Sequence, residues 1–170
     1  MYKRQAWLFV EWARGRQPKF VGLLTGAVAG LATITPAAGY VSPMTAVIIG
    51  LAAGVVCYFA VTLKNQLGWD DALDVWGVHG VGGFLGICLL GVFASTLWNP
   101  NGADGLLRGN PAFLGKQFVA ATVCSAWAFV FTYAMLALIN LVTAVKVDEA
   151  AEERGLDVAL HGEEAYPLGV

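Results

Sequence analysis

Residues 20–63 read FVGLLTGAVAGLATITPAAGYVSPMTAVIIGLAAGVVCYFAVTL, a run of 44 residues that contains no Asp, Glu, Lys or Arg. The hydrocarbon core of a bilayer is about 30 Å thick, so a helix needs roughly 20 apolar residues to cross it. The run is long enough for two such helices, and the sequence GYVSP at residues 39–43 provides a break between them. This stretch predicts a chain that crosses a membrane.

Two further charge-free runs follow, at residues 75–103 and 117–145, and each is 29 residues long. They add one helix each. We therefore predict four membrane helices within residues 17–147, at about 20–38, 44–63, 72–96 and 112–146. Residues 1–16 are expected to be the end of a preceding membrane helix. The expected fold class is an all-α polytopic membrane helix bundle.

The composition excludes several classes of protein. Apolar residues make up 58% of the chain and charged residues 13%, whereas soluble chains average about 45–50% and about 25%. A soluble enzyme, a nucleic-acid-binding protein and a secreted disulfide scaffold are therefore excluded. The predicted spans contain no nucleophile–base pair and no phosphate-binding loop, so we expect no enzymatic activity, no cofactor and no metal site.

Small residues in the predicted helices indicate how these helices pack. Glycines recur four residues apart at Gly22, Gly26 and Gly30, at Gly50 and Gly54, and at Gly82 and Gly86. Residues four apart share one helix face, and small residues on such a face let helix backbones approach closely in lipid. The pattern predicts a tight bundle rather than a single membrane anchor.

The distribution of basic residues predicts the orientation of the chain. Five of the ten Lys and Arg residues flank alternate helix ends, at Arg14, Arg16, Lys19, Lys64 and Lys146. Because Lys and Arg are enriched in cytoplasmic loops, both termini and the loop between the second and third helices are expected in the cytoplasm. Arg108 and Lys116 count against this orientation. Residues 148–170 form an acidic tail with a single basic residue, Arg154.

One ionisable side chain, His79, lies in the middle of the third predicted helix. On a regular helix its face also includes Val75, Gly82, Gly83 and Gly86. Ionisable groups inside a membrane are costly and usually face a bundle interior, a cavity or a pathway. Two interpretations stay open: a neutral imidazole satisfied by one interhelical hydrogen bond, or an imidazole that faces a transport pathway. We favour the second.

An imidazole on a pathway limits what can pass. A neutral imidazole has one donor and one acceptor nitrogen, so it can bind a small polar molecule or transfer a proton without adding a fixed charge. A pore lined by apolar residues lacks the oxygen ligands that replace an ion's hydration shell, so it should reject alkali cations. The pattern predicts passage of a small neutral solute.

Three carboxylates, Asp70, Asp71 and Asp74, precede His79 at the start of the third helix. Acidic residues in a first helical turn can accept hydrogen bonds from free backbone N–H groups and interact favourably with the helix dipole. Alternatively, they could anchor a neighbouring loop or the tail.

Four motifs carry a resemblance to a known family. The stretch DDALDVWGVHG at residues 70–80 resembles the penultimate membrane helix of the Amt ammonium transporters, which bears their second pore histidine. TPAAGYV at residues 35–41 and Trp7 with Glu11-Trp12 are similar to the ends of two earlier helices of that family. ERGLDVALHGEEAY at residues 153–166 resembles their cytoplasmic regulatory tail.

The resemblance implies the C-terminal portion of an eleven-helix fold, built from two inverted repeats and a long last helix and assembled as a homotrimer. In that family, ammonium is captured and deprotonated at an outer vestibule, and ammonia then passes two hydrogen-bonded histidines. His79 would be the second of these, with Val75 and Thr35 as pore-lining neighbours.

The resemblance also implies a cell-membrane location with a cytoplasmic C-terminus. A PII-type signalling protein is a possible partner at the cytoplasmic face. Gly155 and Asp157 of the tail would lie at that face, near Asp70, Asp71 and Asp74.

The chain departs from the family pattern in three ways. It matches only from the end of the seventh helix onward, so the first repeat and its histidine have no counterpart and the chain alone is expected not to conduct. His161 cannot replace that histidine, because it lies in the charged tail. Trp76 stands where Phe is expected, and Ala159 stands where some plant relatives have a phosphorylatable Thr.

Two other functions stay open besides transport. The chain could be a membrane-anchored regulatory or sensor fragment whose working part is the tail, or a truncated product without a function.

Overall fold

The computed structural model describes residues 2–15, 17 and 19–164. Residues 1, 16, 18 and 165–170, which include the end of the predicted tail, lie outside the described residues. Throughout the described part, the regular secondary structure is helical. The predicted all-α class is therefore confirmed.

The chain divides into two compact units, Met1–Val123 and Cys124–Val170. The first contains α1 (Tyr2–Ala13), α2 (Phe20–Ile34), α3 (Pro43–Gln66), α4 (Trp76–Phe93) and the start of α5 (Pro111–Asn140). Short 3₁₀ turns follow α2, at Thr35–Ala37, and precede α5, at Leu106–Arg108. The second unit contains the rest of α5, then α6 (Glu149–Arg154) and a π-helical turn at Asp157–His161.

Four helices of the described chain are long and apolar enough to cross a membrane, by length and composition. They are Phe20–Ala37, Pro43–Gln66, Trp76–Phe93 and Pro111–Asn140. The third starts at Trp76 rather than near residue 72, because residues 71–74 form a turn that the helix follows. The fourth ends at Asn140 rather than near residue 146, since the Asn140 side chain accepts the Val145 N–H at 3.1 Å and closes a turn there.

The helix starts follow from local hydrogen bonding. Ser42 is the N-cap of α3, where its hydroxyl oxygen accepts the Thr45 N–H at 3.1 Å and Pro43 occupies the first helical position. Glu11 links α1 to the start of α2, because its carboxylate accepts both the indole N–H of Trp7 and the backbone N–H of Lys19, each at 3.2 Å.

Two clusters of buried side chains hold the first unit together. The first joins all of α1 to α4 and consists of Trp7, Ala29, Cys57, Tyr58, Val61 and Val78. The second lies where α2 ends and consists of Ala37, Val41 and Ile49, with Ile34, Ala46, Leu89, Leu90 and Phe93 packed against it. Both clusters bring together residues far apart in sequence, so packing rather than local propensity sets the arrangement of these helices.

The glycines of α4 allow close contact with α2 and α3. A Cβ atom on Gly82 would lie 2.9 Å from Oγ1 of Thr33, and one on Gly86 would collide with the Thr33 carbonyl. A Cβ atom on Gly77 would lie 2.7 Å from Cγ2 of Val61. The predicted close packing through small residues is therefore confirmed for α4.

Helix α5 is exposed along most of its length. In the first unit, Phe118 makes an edge-to-face contact with Phe84 at 5.8 Å between ring centroids. A Cβ atom on Gly91 would lie 2.9 Å from the Cα atom of Leu114, so the start of α5 also passes close to α4. Among the described residues of α5, Ala121 is the buried one.

Candidate functional site

His79 lies on an exposed side of α4. Its imidazole forms no hydrogen bond with another residue in the described ranges 2–15, 17 and 19–164. Both interpretations of His79, as a histidine satisfied by an interhelical hydrogen bond and as one that faces a pathway, therefore stay predictions. The side chain is available to a ligand or to a further protein segment.

The first part of α4, Trp76–Val81, is a π-helix rather than an α-helix. In the α-helical geometry that the sequence analysis assumed, His79 shares a face with Gly82 and Gly86. In the structure those two glycines are buried against α2 and α3, whereas His79 is exposed. Val75 and Gly83 of the expected face are on open positions, whereas Gly82 and Gly86 are not. A π-helix bonds residue i to i+5, so each turn contains more residues and the face rotates. Gly83, with no heavy atom within 4 Å of a Cβ position, stays on an open side.

The neighbours of His79 on its helix are apolar. Val75 is 49% exposed and Trp76 is 38% exposed. The Trp76 ring is held edge-to-face against Trp69, with 5.0 Å between centroids. Gly80 has no side chain, and a Cβ there would meet only Trp76, at 3.8 Å. His79 therefore presents a donor and an acceptor on an otherwise apolar surface.

Thr35 lies at another level of the bundle. Thr35 is exposed, and its hydroxyl donates a hydrogen bond to the carbonyl of Leu31 at 2.7 Å. The preceding Thr33 contacts Gly86, which is seven residues beyond His79. At a rise of 1.5 Å per residue, the level of Thr33 is about 10 Å further along α4 than His79, and Thr35 follows Thr33 by two residues. His79 and Thr35 can line one path, but they do not form one binding site.

Asp71 and Asp74 each accept hydrogen bonds that hold the start of α4. Both oxygens of Asp71 accept backbone hydrogen bonds, from the N–H groups of Val75 and Trp76, each at 2.9 Å. Asp71 therefore caps the start of α4. Asp74 pairs with Lys64 at 2.7 Å between Oδ1 and Nζ. Asp70 is exposed in the same loop.

Lys64 is the residue near this site that the sequence analysis missed. It was interpreted only as a basic residue after the second span, yet the side chain is 6% exposed. Its ammonium group donates to Asp74 and, at 2.6 Å, to the carbonyl of Asp71. Removing Asp74 would leave the buried ammonium group without its counter-charge, which is destabilising. A lysine ten residues before an aspartate across a short loop is the signal that could have revealed it.

The tail residues singled out from the sequence have local structural roles in the second unit. Gly155 ends α6 with φ of 97°, a conformation that favours glycine. A Cβ there would lie 2.9 Å from the Asp157 carboxylate, which itself accepts the Val158 N–H at 2.9 Å. A regulatory role for Gly155 and Asp157 stays a prediction.

Two clefts in the first unit lie away from His79. One of about 510 Å³ is lined by Ser42, Thr45, Phe93, Ser95, Leu97, Trp98, Leu107 and Arg108. The other, about 490 Å³, is lined by Pro36, Tyr40, Leu90, Asn101, Gly102, Ala103, Phe113 and Gln117. Within the part of the chain that the structure describes, no three His, Cys, Asp or Glu side chains are grouped as metal ligands would be.

The sequence matches a known family over almost its whole length. The family model described as "Ammonium Transporter Family" matches residues 4–166. An ammonium transporter of Bacillus subtilis strain 168 is 42% identical over 161 residues, which cover 94% of this chain and 40% of that protein. Ammonium transporter 1 of Dictyostelium discoideum is 41% identical over 161 residues, 94% of this chain and 35% of that protein.

Solved structures agree with this match. Crystalline Mep2 of Candida albicans superposes with a TM-score of 0.80 and 37% identity, over 87% of this chain and 34% of that chain. Mep2 of Saccharomyces cerevisiae gives a TM-score of 0.81 and 33% identity, over 87% of this chain and 35% of that chain. The chain thus spans 34–40% of the length of these relatives.

These matches confirm the resemblance that the motifs indicated. By their names, the relatives are transporters rather than enzymes. The matched family and the four apolar helices make the chain a multi-pass membrane protein. Its helical fold is that of the solved Mep2 structures over the residues they share. The chain belongs to the ammonium transporter family.

Proposed function

We propose that this chain forms part of the wall of a membrane pore that conducts ammonia derived from ammonium, with His79 on the pore-facing surface. The observation that carries the proposal is the position of His79. It lies on the side of α4 that no other described helix covers, although the opposite side of α4 is closely packed. An ionisable side chain is kept at membrane depth at a cost, and facing a pathway accounts for that cost.

In this proposal His79 guides a neutral solute. Ammonia both donates and accepts hydrogen bonds, so it can bind to either nitrogen of a neutral imidazole. Val75 beside His79 and Thr35 further along α4 are proposed to line the same path. Val75 excludes water and adds no charge. Because few oxygen ligands face the path, an alkali cation that loses its hydration shell there finds no replacement.

We propose that the chain supplies the C-terminal portion of the pore and that other helices complete the wall. The support is twofold: His79 is exposed to one side, and the chain spans only 34–40% of its relatives. In the absence of those helices the chain should not conduct. Transport, not catalysis, is the proposed activity, and no cofactor is required for it.

Assembly and regulation are proposed on the family resemblance. The complete protein would be a homotrimer in the cell membrane with a cytoplasmic C-terminus. The tail would be regulatory, with Gly155 and Asp157 shaping it, and a PII-type signalling protein would bind at the cytoplasmic face. Asp70, Asp71 and Asp74 would lie at that same face in a structural or regulatory role. The ordered start of the tail at α6, which Asp148 caps, supports a defined binding element.

The test is uptake of labelled methylammonium into vesicles that contain this chain together with the N-terminal remainder of the Bacillus subtilis transporter. We expect uptake from the pair and none from either part alone. His79→Ala should abolish uptake, and His79→Gln should retain a part of it because the amide also has both donor and acceptor atoms. The matched control is His161→Ala, which removes the only other histidine and should leave uptake unchanged.

Uptake by this chain alone would refute the proposed incompleteness. Uptake that is unchanged in His79→Ala but altered by Gly155→Ala would instead favour a regulatory fragment. Potassium flux through the assembled pair would contradict the proposed exclusion of alkali cations.

A further inference from the structure

The loop between α3 and α4 ends in an unusual backbone conformation. Among the described residues, Asp74 is the non-glycine residue with a positive φ, at 56°. The left-handed region disfavours residues with a Cβ, although Asp and Asn tolerate it better than most. Such a conformation persists where surrounding contacts hold it. Here the contact is the ion pair between Asp74 and the buried ammonium group of Lys64.

We propose that the Lys64–Asp74 ion pair is a positioning element that sets the direction of the His79 side chain. Asp74 lies two residues before α4 begins, and its carbonyl accepts the Val78 N–H at 2.9 Å. The position of Asp74 therefore sets the rotation of α4 about its axis where the helix begins. Lys64 acts on His79 through this turn and does not contact it.

Both ends of the π-helical segment are held by α2 and α3. At the N-terminal end, Lys64 holds Asp74, and one turn earlier in α3 Val61 packs on Gly77. At the C-terminal end, Gly82 packs against Thr33 and against the Sγ atom of Cys57, 3.2 Å from its Cβ position.

π-helices are rare and occur mostly as single turns inside α-helices, frequently at functional sites. Because both ends are held, the segment Trp76–Val81 keeps its π-helical conformation. In that conformation His79 faces away from α2 and α3. If the N-terminal end is released, the segment can relax to an α-helix. His79 then turns from its open side toward α2 and α3, where its imidazole is less accessible.

The test measures the orientation of His79 directly. The whole chain in phospholipid vesicles is treated with diethyl pyrocarbonate, and carbethoxylation of His79 is compared with that of His161 in the same molecule by mass spectrometry. Lys64→Met and Asp74→Ala should slow the modification of His79 about two- to tenfold, because a lost charge-assisted bond shifts the population toward the buried orientation. Lys64→Arg, which keeps the charge, should retain most of the original rate.

The variant Asp74→Gly distinguishes the effect of the ion pair on His79 from the effect of the backbone conformation. Glycine adopts a φ of 56° without a steric penalty but has no carboxylate. A slowed rate in this variant supports the ion pair as the positioning element. A normal rate would overturn the proposal, because the left-handed turn alone would then be sufficient. Lys116→Met makes the same side-chain change at an exposed site in α5 and should have no effect.

The role of this ion pair in transport rests on the proposed function, so a second measurement keeps the two apart. Methylammonium uptake is measured for the same variants in the paired assembly, per folded molecule as judged by circular dichroism and yield. Slowed modification together with slowed uptake supports both proposals. Slowed modification with normal uptake leaves the positioning role intact and refutes the role of His79 in transport. Unchanged modification in folded Lys64→Met and Asp74→Gly proteins refutes the positioning role whatever the uptake.

Discussion

The main-chain carbonyl of Thr33 in α2 occupies the space that a Cβ atom on Gly86 of α4 would need. Thr33 is fully buried, and its hydroxyl donates to the Ala29 carbonyl at 2.8 Å, so neither its backbone nor its side chain can move aside easily. This contact joins the helix that bears His79 to the rest of the first unit. It also makes the separation of α2 and α4 sensitive to a single methyl group.

Gly86→Ala should destabilise the first unit by about 1–3 kcal/mol, because an added group in a closely packed contact forces the backbone apart. The measurement is the free energy of unfolding of the purified chain in a detergent titration followed by circular dichroism. Gly83→Ala is the matched control in the same helix, since its Cβ position is open. It should be neutral, or stabilising by up to about 1 kcal/mol through helix propensity. Equal losses from the two variants would contradict the close contact.

Ile49→Ala should cost about 2–5 kcal/mol, since a fully buried side chain leaves a cavity when truncated. Ile48→Ala removes the same atoms from the adjacent position, which is 47% exposed, and should cost far less. The same unfolding titration checks both. If Ile48→Ala proves the more damaging change, the assigned rotation of α3 is wrong.

Ser42→Ala should destabilise α3 by about 0.5–2 kcal/mol, because the Thr45 N–H loses its acceptor. Ser42→Asp keeps an acceptor at the N-cap and adds a negative charge near the positive end of the helix dipole, so it should retain stability. Amide hydrogen exchange over residues 43–47 measures the effect locally. Exchange that is as slow in Ser42→Ala as in the parent chain would refute the cap.

Asp148→Ala should loosen the tail helix α6, since the Asp148 carboxylate accepts the Ala151 N–H at 2.8 Å. Loss of an N-cap of about 1 kcal/mol corresponds to roughly fivefold faster exchange of the α6 amides. Glu163→Ala removes one negative charge outside the helix and serves as the control. Faster exchange in both variants would indicate a general charge effect rather than capping.

Hydropathy was a reliable guide to the membrane-capable helices because the bilayer imposes a length on apolar segments. A charge-free run either reaches about 20 residues or does not, whatever its partners are. The predicted helix ends were less accurate, because hydropathy reports the length of an apolar segment and not the hydrogen bonds at its ends. The late start of α4 depends on the hydrogen bonds of Asp71, and the early end of α5 depends on the side chain of Asn140. Hydropathy does not detect either residue as a boundary.

The candidate site was predicted in part. His79 was singled out because an ionisable group inside a long apolar run is costly, and that cost follows from the residue and its depth alone. Gly82 and Gly86 of its predicted face are buried while Gly83 is open, since a helical projection assumes one period and the π-helical segment Trp76–Val81 breaks that period. The ion pair of Lys64 with Asp74 was missed because both residues had separate local explanations.

Local order along the chain was therefore enough for the helical class, the family and the choice of His79, because each depends on which residues follow one another. The direction in which His79 points, the burial of Lys64 and the contact between Thr33 and Gly86 depend on residues that meet across helices. Those contacts arise only when three helices pack with their glycines in register. The pairing of Lys64 with Asp74 and the π-helical segment of α4 both depend on neighbouring helices, which the order of residues along the chain does not specify.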